Sequence, residues 1–151
     1  MPVTSDLVGR RYPTTAPYEV CREKIREFAA AIGDPHPAYR DAGAARALGH
    51  PDVIAPPTFV FAVVHRAMAE VRGDPAIGLD IDRVVHSDQR LEFHRPVRAG
   101  DRLTVTVHIE AARRLAGKGI VSTRSEVTTE SGEPVVTAHM TLISRAPENT
   151  D

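Results

Sequence analysis

An apolar run near the middle of the chain limits the folds that the sequence can adopt. The segment TFVFAVV (58–64) follows two prolines, and its apolar side chains would point in every direction around a helix. Pro57 suits the first position of a helix, where its missing N–H costs nothing. The pattern therefore predicts a helix from Pro57 to Val71 that is buried on all sides over at least its first half.

A buried helix of this length needs a sheet to cover it, and the second half of the chain supplies strands. Four runs rich in Val and Thr are separated by turns that contain glycine. They are 84–94, 103–112, 119–129 and 135–144. Two of these runs alternate apolar and polar residues, which predicts strands with one buried face. The predicted inward residues are Leu103, Val105, Val107, Ile109, Val136, Ala138, Met140 and Leu142.

Two shorter helical segments precede the buried helix. Apolar residues at positions 25, 28, 29 and 32 form one stripe, which predicts a helix from Cys21 to Ile32. Gly33 is a typical helix end, and Pro35 cannot continue the helix. An alanine-rich stretch predicts a further helical turn at 41–48.

These elements together predict the α+β class and a hot-dog fold, in which a curved antiparallel sheet wraps around one long central helix. A single curved sheet leaves open edges, which pairing across a two-fold axis would cover, so we expect a dimer. The predicted division of the chain is an irregular lead-in at 1–17, a single domain at 18–145 and a flexible tail at 146–151.

Composition narrows the possible partners and location. The 151 residues suit one domain, the formal net charge is −1, and the basic residues are scattered. This distribution argues against nucleic acid or an anionic membrane as the main partner. The single cysteine, Cys21, and the absence of a secretory signal or a run of ~20 apolar residues predict a cytoplasmic protein. The histidines lack metal-ligand spacing, so we expect neither a metal nor a cofactor.

The stretch GDPHPAYRD (33–41) combines an acid, a histidine and a tyrosine between prolines, directly after the first helix. Asp34 and His36 lie two residues apart and could form an acid/base pair. Asp34 is also a common residue of helix-exit turns, and Tyr39 could be a packing residue with a tethered hydroxyl. The pattern alone leaves both interpretations open.

From about Tyr18 to Arg145 the chain resembles the MaoC-like (R)-specific hydratases and dehydratases, which act on 3-hydroxyacyl and enoyl thioesters. The segments that carry the resemblance are YEVCREKIREFA (18–29), VIAPPTFVFAV (53–63), LEFHRPVRAGDRLTV (91–105) and TLISRA (141–146). Within that superfamily the chain is most similar to the non-catalytic A and C subunits of actinobacterial (3R)-hydroxyacyl-ACP dehydratase.

The first active-site motif of the superfamily is altered in this chain. Catalytic members carry Gly-Asp-x-Asn-Pro-Leu/Ile-His. Gly33, Asp34 and Pro37 match this motif, His36 stands at the Asn position, and Tyr39 replaces the catalytic His. With an ordinary pKa of about 10, a tyrosine is a poor base at neutral pH.

The second motif is altered as well. Catalytic members carry Ala-His-Gly at the start of the long helix, where the Gly N–H polarises the thioester carbonyl. Ala55 matches, but Pro56 and Pro57 replace His and Gly. Because proline has no N–H, the donor to the carbonyl oxygen is deleted.

The resemblance with these two changes implies a subunit that binds the acyl chain of a (3R)-hydroxyacyl thioester, on ACP or CoA, and pairs with a catalytic MaoC-like subunit. The implied catalytic candidates are Asp34 and His36. The implied substrate-binding residues are Tyr39, Ala55, Pro56, Pro57, Thr58, Phe59 and Ala62. Arg90, Arg95 and Arg98 could contact a carrier protein or a CoA phosphate, or could form a solvated face.

Two other functions remain open. The chain could be an active hydratase or dehydratase, as a homodimer, that uses Asp34 with His36. It could also be a hot-dog thioesterase, although such enzymes commonly use an acidic residue on the long helix and none lies between Thr58 and Ala69. Neither the acyl chain length nor the choice between ACP and CoA follows from the sequence.

Overall fold

The computed structural model of the protein describes residues 3–144, so the predicted tail at 146–151 lies outside the described residues. The helices are α1 (Arg22–Ala31), α2 (Ala42–Ala47) and α3 (Phe59–Gly73). The strands are β1 (Tyr18–Glu19), β2 (Val84–Phe93), β3 (Arg102–Leu115), β4 (Lys118–Thr129) and β5 (Pro134–Ser144). Within residues 3–144, none of the helices has the length and apolar character needed to cross a membrane.

The strands form one antiparallel sheet in the order β1-β3-β4-β5-β2. Strands β3 and β4 are joined at Ala116 and Gly117, whose φ angles of 49° and 76° are those of a tight hairpin turn that matches the twist of the strands. Strand β2 precedes this meander in the chain and pairs with its last strand, β5. It therefore forms one edge of the sheet.

The sheet curls around α3, and the two elements share one apolar core. The predicted inward residues of β3 are all buried; Leu103, for example, has no exposed surface. Those of β5 are also buried, and α3 contributes Phe59, Val60 and Val64 to the same core. This arrangement confirms the predicted hot-dog fold.

The central helix differs from its prediction in two respects. It begins at Phe59 rather than Pro57, after a tight turn in which the Phe59 N–H donates to the Pro56 carbonyl oxygen (2.9 Å). Phe61 and Ala62 are half-buried rather than fully buried. Phe61 faces the edge strand β2, where its ring stacks on that of His86 with centroids 5.5 Å apart. Because the sheet ends at β2, this side of the helix is not fully covered.

The lead-in before β1 lies along the free side of β3. Backbone N–H groups of Gly9, Tyr12 and Thr15 donate to carbonyl oxygens of β3 at 2.9, 2.9 and 3.0 Å. The side chains of Val3 and Leu7 are buried in the core. The lead-in therefore covers most of one sheet edge, since β1 pairs only two residues with β3. Strand β2 at the other edge has no partner strand on its outer side among residues 3–144.

A hydrogen bond fastens the lead-in to the end of the central helix. The buried Tyr12 hydroxyl donates to Oδ2 of Asp74 at 2.7 Å, and Arg10 lies 3.2 Å from the same oxygen. Burial, followed by the hydrogen bond to Asp74, raises the pKa of Tyr12 above its ordinary value. Burial alone would raise the pKa of Asp74, but the Tyr12 hydroxyl, the Ala76 N–H and Arg10 together hold that pKa below its usual value.

We expect Tyr12→Phe to lower the free energy of unfolding at pH 7 by about 1.5 kcal/mol, because it removes a hydrogen bond to a charged, half-buried carboxylate. A carboxyl group whose pKa is lowered by folding stabilises the protein at pH values above its unfolded pKa of 3.8. This stability is lost as the pH falls through the pKa of the folded state. The difference between Tyr12→Phe and the unaltered chain should therefore shrink below about pH 4. Urea unfolding across this pH range measures it, with Tyr18→Phe as the matched control. A difference independent of pH would contradict this account of Asp74.

Candidate functional site

The loop at 33–41 is fixed by its own polar side chains. Gly33 ends the first helical segment with φ 71°, a value that favours glycine. The Asp34 carboxylate accepts from the backbone N–H of His36 at 3.1 Å, and the N–H of Ala38 donates to Nδ1 of His36 at 3.2 Å. These bonds shape a single turn of 3₁₀ helix at Pro37–Tyr39. The loop is therefore ordered by local caps, with the side chains of Asp34 and His36 both engaged.

The arrangement limits what Asp34 and His36 can do together. Their side chains bind successive backbone N–H groups rather than each other. Because Nδ1 of His36 accepts a backbone hydrogen bond, the neutral ring carries its proton on Nε2. The exposed His36 ring then presents Nε2–H as a hydrogen-bond donor and has no free nitrogen lone pair with which to remove a proton. An Asp34/His36 dyad with histidine as the base would first have to break the hydrogen bond from Ala38.

Tyr39 lies next to His36, with ring centroids 5.3 Å apart and the planes tilted by 45°. Its side chain is half-buried. Burial, and then the negative charge of Asp34, raise the pKa of Tyr39 above its ordinary value of 10.0. The phenol therefore stays protonated at neutral pH and can serve as a hydrogen-bond donor but not as a base.

Backbone pairing brings this loop to the start of α3. The N–H of Ile54 donates to the carbonyl oxygen of Ala38 at 3.1 Å. The same segment, 53–55, runs antiparallel to 97–99, with bonds of 2.9 Å from Ala99 N–H to Val53 and 2.8 Å from Ala55 N–H to Val97. The altered motif residues Tyr39 and Pro57 therefore belong to one supported unit, which we call the helix-start site (residues 33–41 and 53–58).

The ion pair between Arg95 and Asp101 stabilises the loop that pairs with residues 53–55. Asp101, only 6% exposed, accepts from both Nη atoms of Arg95 at 2.8 and 2.9 Å and from the N–H of Arg98 at 2.9 Å. Hydrogen bonds to Asp101 and, to a lesser extent, Glu133 raise the pKa of Arg95 above its usual value. These contacts close the loop that carries residues 97–99.

A second ion pair, between Arg22 and Asp52, links the start of segment 53–55 to α1. Arg22 of α1 donates two hydrogen bonds of 2.9 Å to the Asp52 carboxylate, which also accepts from the N–H of Val53. The hydrogen bonds from Arg22, and to a lesser extent the one from Val53, lower the pKa of Asp52 below its usual value. Of the arginines that could either contact a carrier or form a solvated face, Arg95 pairs with Asp101 and Arg90 lies 3.2 Å from Glu92.

The predicted substrate-binding residues differ in accessibility. Pro57 and Thr58 are exposed, and Ala62 is half-buried. Ala55 and Pro56 are buried behind them. The ring of Phe59 is 1% exposed and packs edge-to-face on Phe28 and Tyr18, with centroids 5.4 and 6.4 Å apart. Phe59 is thus placed to shape the site through packing, whereas Pro57, Thr58 and Ala62 can be touched from outside.

The structure also contains a cavity that the sequence did not indicate, which we call the β2 cavity. It has a volume of about 330 Å³ and lies between α3, β2 and β5. Its lining residues are Phe61, His65, Met68, Arg72, Val84, His86, Met140 and Leu142. No pattern in the sequence signals it, because the apolar run 58–64 predicts that Phe61 is fully buried. The other residues come together only through the pairing of β2 with β5.

Comparison with sequences of known proteins places this chain among dehydratase-related proteins. The family model for the FAS1-like dehydratase domain region matches residues 6–138. A UPF0336 protein of Streptomyces coelicolor is 62% identical over 148 residues, which cover 98% of this chain and 99% of that protein.

Comparison with solved structures gives the same result. A MaoC-like dehydratase superposes with a TM-score of 0.86 at 34% identity; the match covers 94% of this chain but only 43% of that one. The C-terminally truncated HadBC (3R)-hydroxyacyl-ACP dehydratase complex of Mycobacterium tuberculosis superposes with a TM-score of 0.80 at 36% identity, covering 92% of this chain and 98% of the matched chain.

Proposed function

Because the chain belongs to the FAS1-like dehydratase domain family, within the MaoC-like hot-dog superfamily, we propose that it is an acyl-chain-binding subunit of a (3R)-hydroxyacyl-thioester dehydratase. The observation that carries this proposal is the helix-start site, in which Tyr39 and Pro57 stand where the superfamily has its catalytic His and Gly. In this proposal the chain keeps the dehydratase fold and the backbone contacts of the helix-start site but lacks two of the groups needed for catalysis.

The two changes affect separate parts of the reaction. Dehydration needs a group that removes the C2 proton, an acid for the departing hydroxyl, and a donor that stabilises the enolate-like oxygen. Tyr39, with its raised pKa, does not serve as the base. Pro57 cannot donate to the oxygen at all. Asp34 remains, but one carboxylate does not supply both proton transfer and oxyanion stabilisation.

The proposed partner is a MaoC-like catalytic subunit that pairs with the edge strand β2. The outer side of β2 carries no partner strand among residues 3–144, and Val85 and Phe93 on this strand are 44% and 41% exposed. An open edge of this kind favours pairing with another sheet. The HadBC relative is itself a complex of such chains. A homodimer would use the same edge.

The proposed substrate is an acyl thioester on ACP or CoA, and the proposed location is the cytoplasm, where the exposed thiol of Cys21 would stay reduced. The proposed functional unit is the domain at 18–145, with the acyl chain passing Thr58 and Ala62. The lead-in would support this domain through its contacts with β3.

A catalytically active hydratase or dehydratase is the alternative. It is favoured by the half-buried carboxylate of Asp34, two residues from a histidine whose Nε2 is exposed. In that mechanism Asp34 would remove the C2 proton, and a protonated His36 that has released the hydrogen bond from Ala38 would protonate the departing hydroxyl. The missing N–H at Pro57 counts against it, since loss of one oxyanion donor costs about 3 kcal/mol of transition-state stabilisation.

The test is hydration of crotonyl-CoA and of a longer enoyl thioester by the purified chain, alone and mixed with a MaoC-like catalytic subunit. We expect no turnover by the chain alone and an altered chain-length preference in the mixture. Asp34→Ala should change the rate of the mixture by less than about twofold, because the proton transfers take place in the partner. Asp41→Ala, which removes the cap of α2 in the same loop, is the matched control.

Turnover by the chain alone that is abolished by His36→Ala would overturn the proposal and establish the active hydratase. A large loss in the mixture on Asp34→Ala, with Asp41→Ala unaffected, would likewise place catalysis in this chain.

A further inference from the structure

The β2 cavity combines apolar walls with one arginine and two histidine side chains. Its walls are formed by Phe61 and Met68 of α3, Val84 of β2, and Met140 and Leu142 of β5. Its polar groups are His65, Arg72 and His86. None of the eight described lining residues carries a carboxylate. A volume of about 330 Å³ is at the lower end of the range for small-molecule sites and suits a short apolar chain.

Contacts with neighbouring groups position the side chains of Arg72, His65 and His86. Nη2 of Arg72 donates to the His65 carbonyl oxygen at 3.3 Å, which holds the guanidinium over the preceding turns of α3. The Phe61 ring lies close to both imidazoles, with centroids 5.4 Å from that of His65 and 5.5 Å from that of His86. The two imidazoles therefore share one aromatic neighbour, and Arg72 is tied to the backbone of one of them.

Such a cavity discriminates between ligands by charge. A neutral apolar ligand would displace water from Arg72 without replacing its hydrogen bonds, which is unfavourable. A cationic ligand would be repelled. A carboxylate can accept two hydrogen bonds from one guanidinium, and charge-assisted bonds of this kind are among the stronger ones in proteins.

We propose that the β2 cavity binds an amphiphilic carboxylate, with its apolar chain against Met68, Met140 and Leu142 and its carboxylate on Arg72, flanked by His65 and His86. This site is distinct from the helix-start site, and binding there requires neither catalysis nor a partner subunit. The carboxylate could belong to a free fatty acid or to the far end of an acyl group whose other end is a thioester.

The first experiment measures binding of octanoate, octanol and octylamine to the full chain by isothermal titration calorimetry. We expect octanoate to bind at least about tenfold more tightly than octanol, and octylamine not to bind, because only the carboxylate completes the hydrogen bonds of Arg72. Octanol binding as tightly as octanoate would overturn the proposal, and this comparison needs no substitution.

The second experiment locates the site. Arg72→Met keeps the length of the side chain but removes the guanidinium, and we expect it to weaken octanoate binding at least about tenfold. Arg66→Met is the matched control, because Arg66 lies on the same helix but contacts Tyr18, 5.3 Å from its ring centroid, and lines a different cavity. It should change affinity less than about twofold. Equal effects of the two substitutions would show non-specific attraction and overturn the proposal.

The third experiment measures how the affinity for octanoate depends on pH. Burial, followed by the charges of Arg72 and His86, lowers the pKa of His65 below its usual value, so the ring is neutral at about pH 8. A bound carboxylate favours the imidazolium form of His65, so octanoate should bind more tightly at about pH 6 and take up protons on binding. An affinity that does not change between these pH values would remove the histidines from the site and contradict the arrangement proposed.

The source of the carboxylate is distinguished by monomethyl suberate, which carries a carboxylate at one end and a neutral ester in place of a thioester at the other. Tighter binding of octanoate assigns the cavity to free acids, whereas tighter binding of monomethyl suberate assigns it to acyl groups with a terminal carboxylate. If neither binds, the proposal fails, while the function proposed for the helix-start site still stands on the hydration assay.

Discussion

Asp101→Asn should lower the free energy of unfolding by about 3 kcal/mol, because it leaves the buried guanidinium of Arg95 without its main counter-charge. The side chains of the pair are only 14% and 6% exposed, and Asp101 accepts three hydrogen bonds. Asparagine can accept at one oxygen only and carries no charge. Glu133 remains 2.7 Å from Arg95, which keeps the loss at the lower end of the range for broken buried pairs.

Glu130→Gln is the matched control for this prediction. Glu130 pairs with Arg102 at 2.7 Å on the same side of the sheet, but the two side chains are 51% and 55% exposed. A solvent-exposed pair of this kind contributes little, so this change should leave the urea midpoint almost unaltered. Equal shifts of the midpoint in the two variants would show that the Arg95–Asp101 pair is not specially important. Because the loop closed by Asp101 supports residues 53–55, the destabilised variant should also lose order at the helix-start site.

Local patterns predicted most of the fold because they are set by neighbouring residues. The alternation in β3 and β5 identified the inward faces, and the stripe along residues 25–32 identified α1 to within one residue at each end. The start of α3 lies two residues after the predicted one because Pro57 is compatible with both the first helical position and the turn before it, and the helix ends at Gly73 rather than Val71. The full burial predicted for Phe61 was wrong because the pattern does not reveal where a sheet ends.

The site was less predictable because it depends on long-range pairing. The prediction of a site at loop 33–41 and the start of α3 rests on their resemblance to known motifs. The contacts that support these segments were not predicted: the sequence suggested only a carrier contact or a solvated face for Arg95, which pairs instead with Asp101. The lead-in could not be placed either, since its bonds to β3 are made by backbone atoms that any sequence supplies. The β2 cavity requires Phe61, His86 and Met140 to meet across three elements, which no local pattern encodes.

Restoring the two altered groups together should give the chain hydratase activity of its own. We expect the double variant Tyr39→His with Pro57→Gly to hydrate crotonyl-CoA at least about 100-fold faster than the unaltered chain. One oxyanion donor contributes about 10²–10³ in rate, and a positioned base contributes about 10²–10⁴. The hydrogen bond from Ile54 N–H to the Ala38 carbonyl oxygen keeps the two positions in one unit, so both groups would act on the same bound thioester.

Each substitution alone should gain less than about tenfold, because a base without an oxyanion donor, or a donor without a base, leaves one half of the barrier in place. Tyr39→Phe with Pro57→Gly is the control: it makes the same change at the helix start but supplies no base, and it should remain inactive. Steady-state hydration at several concentrations of crotonyl-CoA, after circular dichroism has shown an unchanged fold, measures the gain.

A folded double variant without activity would mean that position 39 or 57 is not aligned with a bound acyl thioester, and the interpretation of this loop as an altered active site would then be wrong. Activity in the double variant but not in the control would show that the chain lacks a histidine base, and a much smaller gain for Tyr39→His alone would show that it also lacks the helix-start N–H.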